Sequence, residues 1–178
     1  MLPLQHPVSY VSMAQASFDV TSTVDLQEVD NAVNQARKEI AQRFDFKGSP
    51  SSIEFKRAEG VLELVSESDY KLDAVWDVLQ TRLVRRGVPV KNMKLGDVTA
   101  MGGSLVKRII TLQQGVPIEA SKAIVKYLKD QGLKKVQATI QADQLRVTSA
   151  SKDELQNAIR VLKAHDFGVE LQFGNYRD

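Results

Sequence analysis

Seven consecutive residues, Arg43 to Ser49 (RFDFKGS), bring together two cations, two aromatic rings, a glycine and a hydroxyl. Arg43 and Lys47 could meet a phosphate. Gly48 frees the backbone to present amide donors, and Ser49 adds a hydroxyl. Phe44 and Phe46 could face a base. The stretch also has a plainer reading as a corner between a helix and a strand, with Phe44 and Phe46 packed back under the sheet. It lacks the full glycine pattern of a nucleotide loop, and no helix follows it directly. On spacing alone the corner is the favoured reading.

Other residues compete for the same chemistry. Lys122, Lys126 and Lys129 recur at helical spacing, with Lys134 and Lys135 just beyond. Such a stripe can track a phosphate backbone of RNA or DNA, although a solvated helix face with cations near its C-terminus explains it more simply. Arg82, Arg85 and Arg86 end another helical pattern in the same way. Catalysis finds little support. There is no cysteine, no paired-acid motif and no Ser-His-Asp order in a nucleophile-elbow context. His6 and His165 stand far apart with no carboxylates at ligand spacing, so neither a metal nor a cofactor is expected. His165, beside Asp166, reads as an exposed histidine at a helix end.

Those residues sit in a chain of 178, with 24 basic and 22 acidic residues and a formal charge of +2. This balance permits anionic partners without requiring them. Apolar residues make up 43%, enough for a real core. No apolar run approaches the roughly 20 residues that span a bilayer. The start, MLPLQHPVSYVS, carries neither a basic nor an apolar signal region. Residues 1–14 are expected to form a flexible extension outside the fold, and the absence of cysteine is compatible with the cytoplasm.

The elements that must position the candidates repeat. Leu62, Leu64, Ser66, Ser68, Leu72 and Leu79 match Leu145, Val147, Ser149, Ser151, Leu155 and Leu162 at one offset of 83. Alternation at Phe18, Val20, Ser22 and Val24 predicts a strand. Asp25 with Glu28 starts a helix carrying Val29, Val33 and Ala36. Two strands near Ile53–Phe55 and Leu62–Leu64 follow, then a helix from Ser68 that Gly87 stops, then a strand near Val88 to Leu95. The second half repeats the series: a strand with Ile110 and Leu112, a helix opened by Pro117, strands around Val136–Ile140 and Leu145–Val147, a helix capped by Ser151, and a strand at Val169–Phe173. Each half reads strand, helix, strand, strand, helix, strand.

The expected fold is therefore α+β, with two ferredoxin-like units whose antiparallel sheets each carry two helices. The division expected is 15–98 for the first unit, 99–104 for a linker and 105–178 for the second, with exchange of a terminal strand left open. The uncovered face of the second sheet is expected to present Lys107, Ile109, Thr111, Gln137, Thr139, Gln141, Arg146, Thr148 and Gln172. It is polar and carries no aromatic ring, which disfavours base stacking of the RNA-recognition type.

Several stretches resemble the bacterial YajQ family: SFDVTSTVDLQEVDNAVNQARKEIAQRFDFKGS, TRLVRRG, VQATIQADQLRVTSASKDELQ and the terminal LQFGNYRD. The resemblance runs from Met13 to Asp178. It implies two ferredoxin-like domains and a soluble, non-enzymatic protein that binds nucleotides or nucleic acid. Some members are described as cyclic di-GMP receptors acting through a transcription regulator. The resemblance raises the standing of Arg43 to Ser49 above a mere corner. In the terminal match, Tyr176 stands where phenylalanine is common, and the ring is kept.

Together these readings give the expectation of a cytoplasmic, non-enzymatic effector sensor with no membrane or metal partner. A nucleotide, cyclic di-GMP first, binds in the cleft between the units. Arg43, Lys47, Lys107, Arg108 and Arg177 meet its phosphates, Gly48 and Ser49 line the turn, and Phe44, Phe46 and Tyr176 face its bases. The alternatives are a general RNA- or DNA-binding protein using the lysine stripe, and a protein-interaction module with no nucleotide role.

Overall fold

The computed structural model describes residues 14–178; most of the expected extension at 1–14 lies outside them. The described residues form eight strands and four α-helices: β1 Ala16–Thr21, α1 Leu26–Gln42, β2 Ser52–Lys56, β3 Val61–Ser66, α2 Asp69–Arg85, β4 Met93–Met101, β5 Leu105–Leu112, α3 Ile118–Asp130, β6 Gln137–Gln141, β7 Gln144–Ser149, α4 Lys152–Lys163 and β8 Gln172–Arg177. Three of the helix starts follow from side-chain caps. Asp25 accepts from the amides of Gln27 and Glu28, Ser68 from Lys71, and Ser151 from Glu154. The fold is α+β, with two four-stranded antiparallel sheets in ferredoxin-like strand order.

The sheets read β6-β7-β1-β8 and β2-β3-β5-β4. The first strand of each half thus lies at the centre of the other half's sheet. β1 pairs with β7 and β8, while β5 pairs with β3 and β4. This corrects the division at 15–98 and 105–178. One unit is the continuous run 24–112; the other joins β1 to residues 113–178. It also corrects the linker at 99–104, which is the tip of the β4–β5 hairpin, turning through Gly102, Gly103 and Ser104. Consecutive strands joined by so short a turn pair with each other, and that pairing fills the central slot that β1 would otherwise take. Both strands alternate in the same way, so their pattern alone does not say which sheet each enters.

The cores confirm the exchange. Phe18 and Val20 of β1 are fully buried with Ile124, Leu145, Val147 and Leu162. Ile110 and Leu112 of β5 join Leu62, Leu64, Val75, Leu79 and Val29. Burying Phe18 alone stabilises its unit by about 2–3 kcal/mol. A bulge bends β4 between Leu95 and Val98. A Cβ at Gly96 would come within 2.8 Å of the Ile109 carbonyl, so the bulge needs glycine there.

The two chain crossings, 22–25 and 113–116, run side by side and form the junction. Gly115 N donates to Ser22 O (2.6 Å), and the Gln114 amide both accepts from Val24 N (2.8 Å) and donates to Val24 O (2.7 Å). Asn92, fully buried, ties three segments together. Its Nδ2 donates to Ser22 Oγ (2.8 Å) and Gln113 O (3.0 Å), and its Oδ1 accepts from Glu170 N (2.9 Å).

Candidate functional site

The RFDFKGS stretch is a helix-to-strand corner, and two of its charges, Arg43 and Asp45, match each other. Residues 44–46 make a short 3-10 turn after α1. Phe46 is 4% exposed and packs into the core while bordering a cavity, so its ring is not open to a base on the outer surface. Phe44, two residues earlier on the same tight turn, is 87% exposed. Arg43 grips Asp45 through two nitrogens (3.0 and 2.8 Å), with Glu39 at 3.7 Å. That grip raises the arginine's pKa and holds the Asp45 carboxyl below its ordinary range. The Lys71 ammonium donates to Asp45 O and lies 5.1 Å from the centre of the Phe46 ring. Gly48 adopts φ +75°, as a turn requires. Ser49 donates to the Glu67 carboxylate (2.7 Å), so an acid of the chain itself already stands where a phosphate would. Lys47 is exposed and forms no ion pair among the described residues.

The remaining predicted residues do not assemble around the corner. Lys107 and Arg108 are neighbours on β5, so they point to opposite faces. Lys107, with Ile109 and Thr111, faces outward from the β2-β3-β5-β4 sheet, not from the second-half sheet as expected. Arg108 lies on the helix side and meets Asp73 of α2 at 3.2 Å. Arg177 is opposite Ser17, and Tyr176 approaches Phe18 with ring centres 6.3 Å apart. Arg177 and Lys107 are each five residues along a central strand's register from the junction, about 17 Å. The corner, tied to Ser66 and Glu67 at the end of β3, is as far away. The predicted phosphate set therefore occupies the outer ends of both units, and the cleft between the units is made of other residues. The reason is the strand exchange, which turns the starts of β1 and β5 away from the crossing.

On the open face of the other sheet, Arg146 donates to Asp19 (2.9 Å) and Asn175 donates to the same carboxylate (2.6 Å). The Arg146 contact is the main cause that holds the Asp19 pKa low. This pair satisfies itself. Lys122, Lys126 and Lys129 line the outer side of α3, with Lys134 and Lys135 in the following loop; all five are exposed and none forms an ion pair among the described residues.

The cleft at the junction holds what the sequence reading missed. A cavity of about 400 Å³ is bounded by Lys94 of β4 on one side and, on the other, by the start of α3 and residues 165–169. The Lys94 ammonium reaches across to donate to Gly168 O. Alongside, Lys91 pairs with Asp166 at 3.5 Å. Asp166 accepts from Gly168 N (2.8 Å), the principal reason its pKa is lowered, with Lys91 adding to the effect. His165 stacks on Tyr127 (4.4 Å) and leans on Phe167 (4.6 Å). Pro117 opens α3 without a side-chain cap, and Glu119 borders the cavity. The arrangement combines one cation, aromatic faces and a carboxylate acceptor, drawn from both units. Lys94 carries no local signal, because only the register of β4 at the junction aims it here. His165 was visible in sequence as a helix-end residue, but its stacking depends on α3 packing beside α4.

Among the described residues no helix is long and apolar enough to cross a membrane, and no group of three or more His, Cys, Asp or Glu is placed to hold a metal. A family model described as "Nucleotide-binding protein YajQ-like" matches residues 16–177. Curated relatives carry the name "Nucleotide-binding protein". That of Solibacter usitatus is 50% identical over 165 residues, covering 93% of this chain and 99% of the relative. That of Geotalea uraniireducens is 51% identical over 161 residues, 90% and 98% respectively, and that of Acidithiobacillus ferrooxidans 50% over 162 residues, 91% and 99%. These names describe binding proteins, not enzymes.

Proposed function

Because the chain belongs to the YajQ-like family, we propose that it binds a nucleotide without transforming it, and that the ligand lies in the cleft between the two units. The observation that carries this reading is Lys94, which spans a cavity of about 400 Å³ from one unit to the other. That volume falls in the range of small-ligand sites, which favour domain interfaces. An ammonium has three donors, and Gly168 O engages one, which leaves two for phosphate. The rings of His165 and Phe167 offer stacking surfaces, and Glu119 can accept from the N–H edge of a base. A purine nucleotide fits this chemistry, with cyclic di-GMP the first candidate. Effector sensing in the cytoplasm through a regulatory partner follows if the ligand prefers one relative arrangement of the units, since only differential affinity shifts a population.

Calorimetry with a panel of nucleotides tests the proposal. Lys94→Ala is expected to weaken binding by about tenfold, the scale of one charged hydrogen bond. The Lys47→Ala, Arg108→Ala double variant is expected to bind as the parent does. The reverse pattern would move the site to the outer corner, and no binding across the panel would end the reading. The five unpaired lysines from Lys122 to Lys135 support a second reading, RNA or DNA binding, which requires affinity that falls steeply with salt and shows little base preference.

A further inference from the structure

Behind the RFDFKGS corner lies a second cavity, of about 300 Å³, remote from the junction. Its apolar wall is Ile40, Phe46 and Ile53, and Ser49 and Ser51 stand at its polar edge. The hydroxyls of Ser49, Ser51 and Ser66 and the Glu67 carboxylate form a closed set of four O···O contacts. Ser49 to Glu67 is 2.7 Å, Ser66 to Glu67 2.5 Å, Ser49 to Ser51 2.7 Å and Ser51 to Ser66 2.8 Å. Three serines own three protons. Glu67 is exposed at the surface, and the hydrogen bonds from Ser66 and then Ser49 hold its carboxyl below the ordinary range, so it contributes none. Four contacts therefore share three protons. The cluster is one donor short, and its spare lone pairs lie at the edge of the cavity.

We propose that this cavity is a binding site for a small, neutral, largely apolar ligand that presents an amino group or ring N–H to Ser49 and Ser51. An ammonium ion is disfavoured by Arg37, which also lines the cavity and is fixed there by two bonds to Ile53 O (2.9 and 2.6 Å). A phosphate is disfavoured by Glu67 and by hydroxyls that have no proton left to give. The corner thus reads donors, the opposite of the anion chemistry that its sequence suggests. This inference goes beyond the nucleotide reading and stands apart from Lys94.

9-Methyladenine and 9-methylpurine differ by one amino group, and the second has no N–H to give, which makes them suitable probes. Titrations followed through the backbone amide shifts of Ser49 and Ser51 are expected to show 9-methyladenine binding about tenfold tighter than 9-methylpurine, the scale of one hydrogen bond to a charge-polarised acceptor. Glu67→Gln adds donors to the cluster and should bring the ratio to about one. Ser51→Ala leaves two contacts for two protons and should do the same, so it decides the matter if Glu67→Gln fails to fold. Lys94→Ala should leave the ratio intact, which separates this site from the cleft. Equal binding of the two probes by the parent protein, no amide shift up to their solubility limits, or a ratio that survives Ser51→Ala would overturn the proposal.

Discussion

Replacing Asn92 by alanine should unfasten the junction, and the cost follows from its contacts. The side chain is fully buried and makes three hydrogen bonds of 2.8, 3.0 and 2.9 Å, to Ser22 Oγ, Gln113 O and Glu170 N. A buried group left without its partner costs about 1–3 kcal/mol. Ser22 is fully buried and bears the full penalty, while Gln113 O and Glu170 N are only partly covered and recover some solvation from water. The expected loss is about 3 kcal/mol, or roughly 6–12 °C in Tm for a chain of this size. Asn92→Asp keeps the acceptor for Glu170 N but gives up both donors and buries a charge. Urea unfolding measures the stability, and hydrogen exchange isolates the geometry. The Glu170 amide should lose protection in Asn92→Ala and retain it in Asn92→Asp at pH values where both are folded. A stability loss below about 1 kcal/mol, or an unchanged Glu170 exchange rate in the alanine variant, would refute the assignment of Asn92 as the fastening of the two units.

Other outcomes follow from the same structure. Phe46→Ala should cost about 3–4 kcal/mol by opening a cavity in the first core, whereas Phe44→Ala, at an 87% exposed ring, should change the unfolding midpoint hardly at all. Asp19 binds its proton less tightly in the fold than in the unfolded chain, whose ordinary value is 3.8, because Arg146 and Asn175 hold the carboxylate. Its contribution is present above that value and disappears as pH falls through the lower folded value, so Asp19→Asn should flatten the acid limb of the stability profile below about pH 5 in chemical denaturation. Residues 24–112 hold four strands and two helices without a break and should unfold cooperatively as an isolated fragment. Residues 113–178 lack their central strand and should stay unfolded until a peptide covering Ala16–Thr21 is added, as read by circular dichroism.

Much of the fold was legible in the chain. The offset of 83 between the halves, the alternation of Leu62 and Leu64 against Leu145 and Val147, and the caps at Asp25, Ser68 and Ser151 specify element types and order, because these are local consequences of period and of backbone donors that need partners. The corner at Arg43–Ser49 was legible for the same reason, but the expectation that both phenylalanines pack under the sheet held only for Phe46, since the tight turn sends Phe44 to the surface. The shortage of protons around Ser51 was not, because Ser66 and Glu67 arrive from a different strand.

By itself the sequence determined what each segment becomes and which of its faces is apolar, since hydrophobic period acts within a few residues of chain. Tertiary structure alone decided which sheet β1 and β5 enter, and through that choice which residues meet. Two strands with the same alternation are interchangeable until the β4–β5 hairpin takes one slot. Once it does, Arg43, Lys107 and Arg177 are carried to the outer ends, and Lys94 is left facing His165 and Gly168 across the cleft.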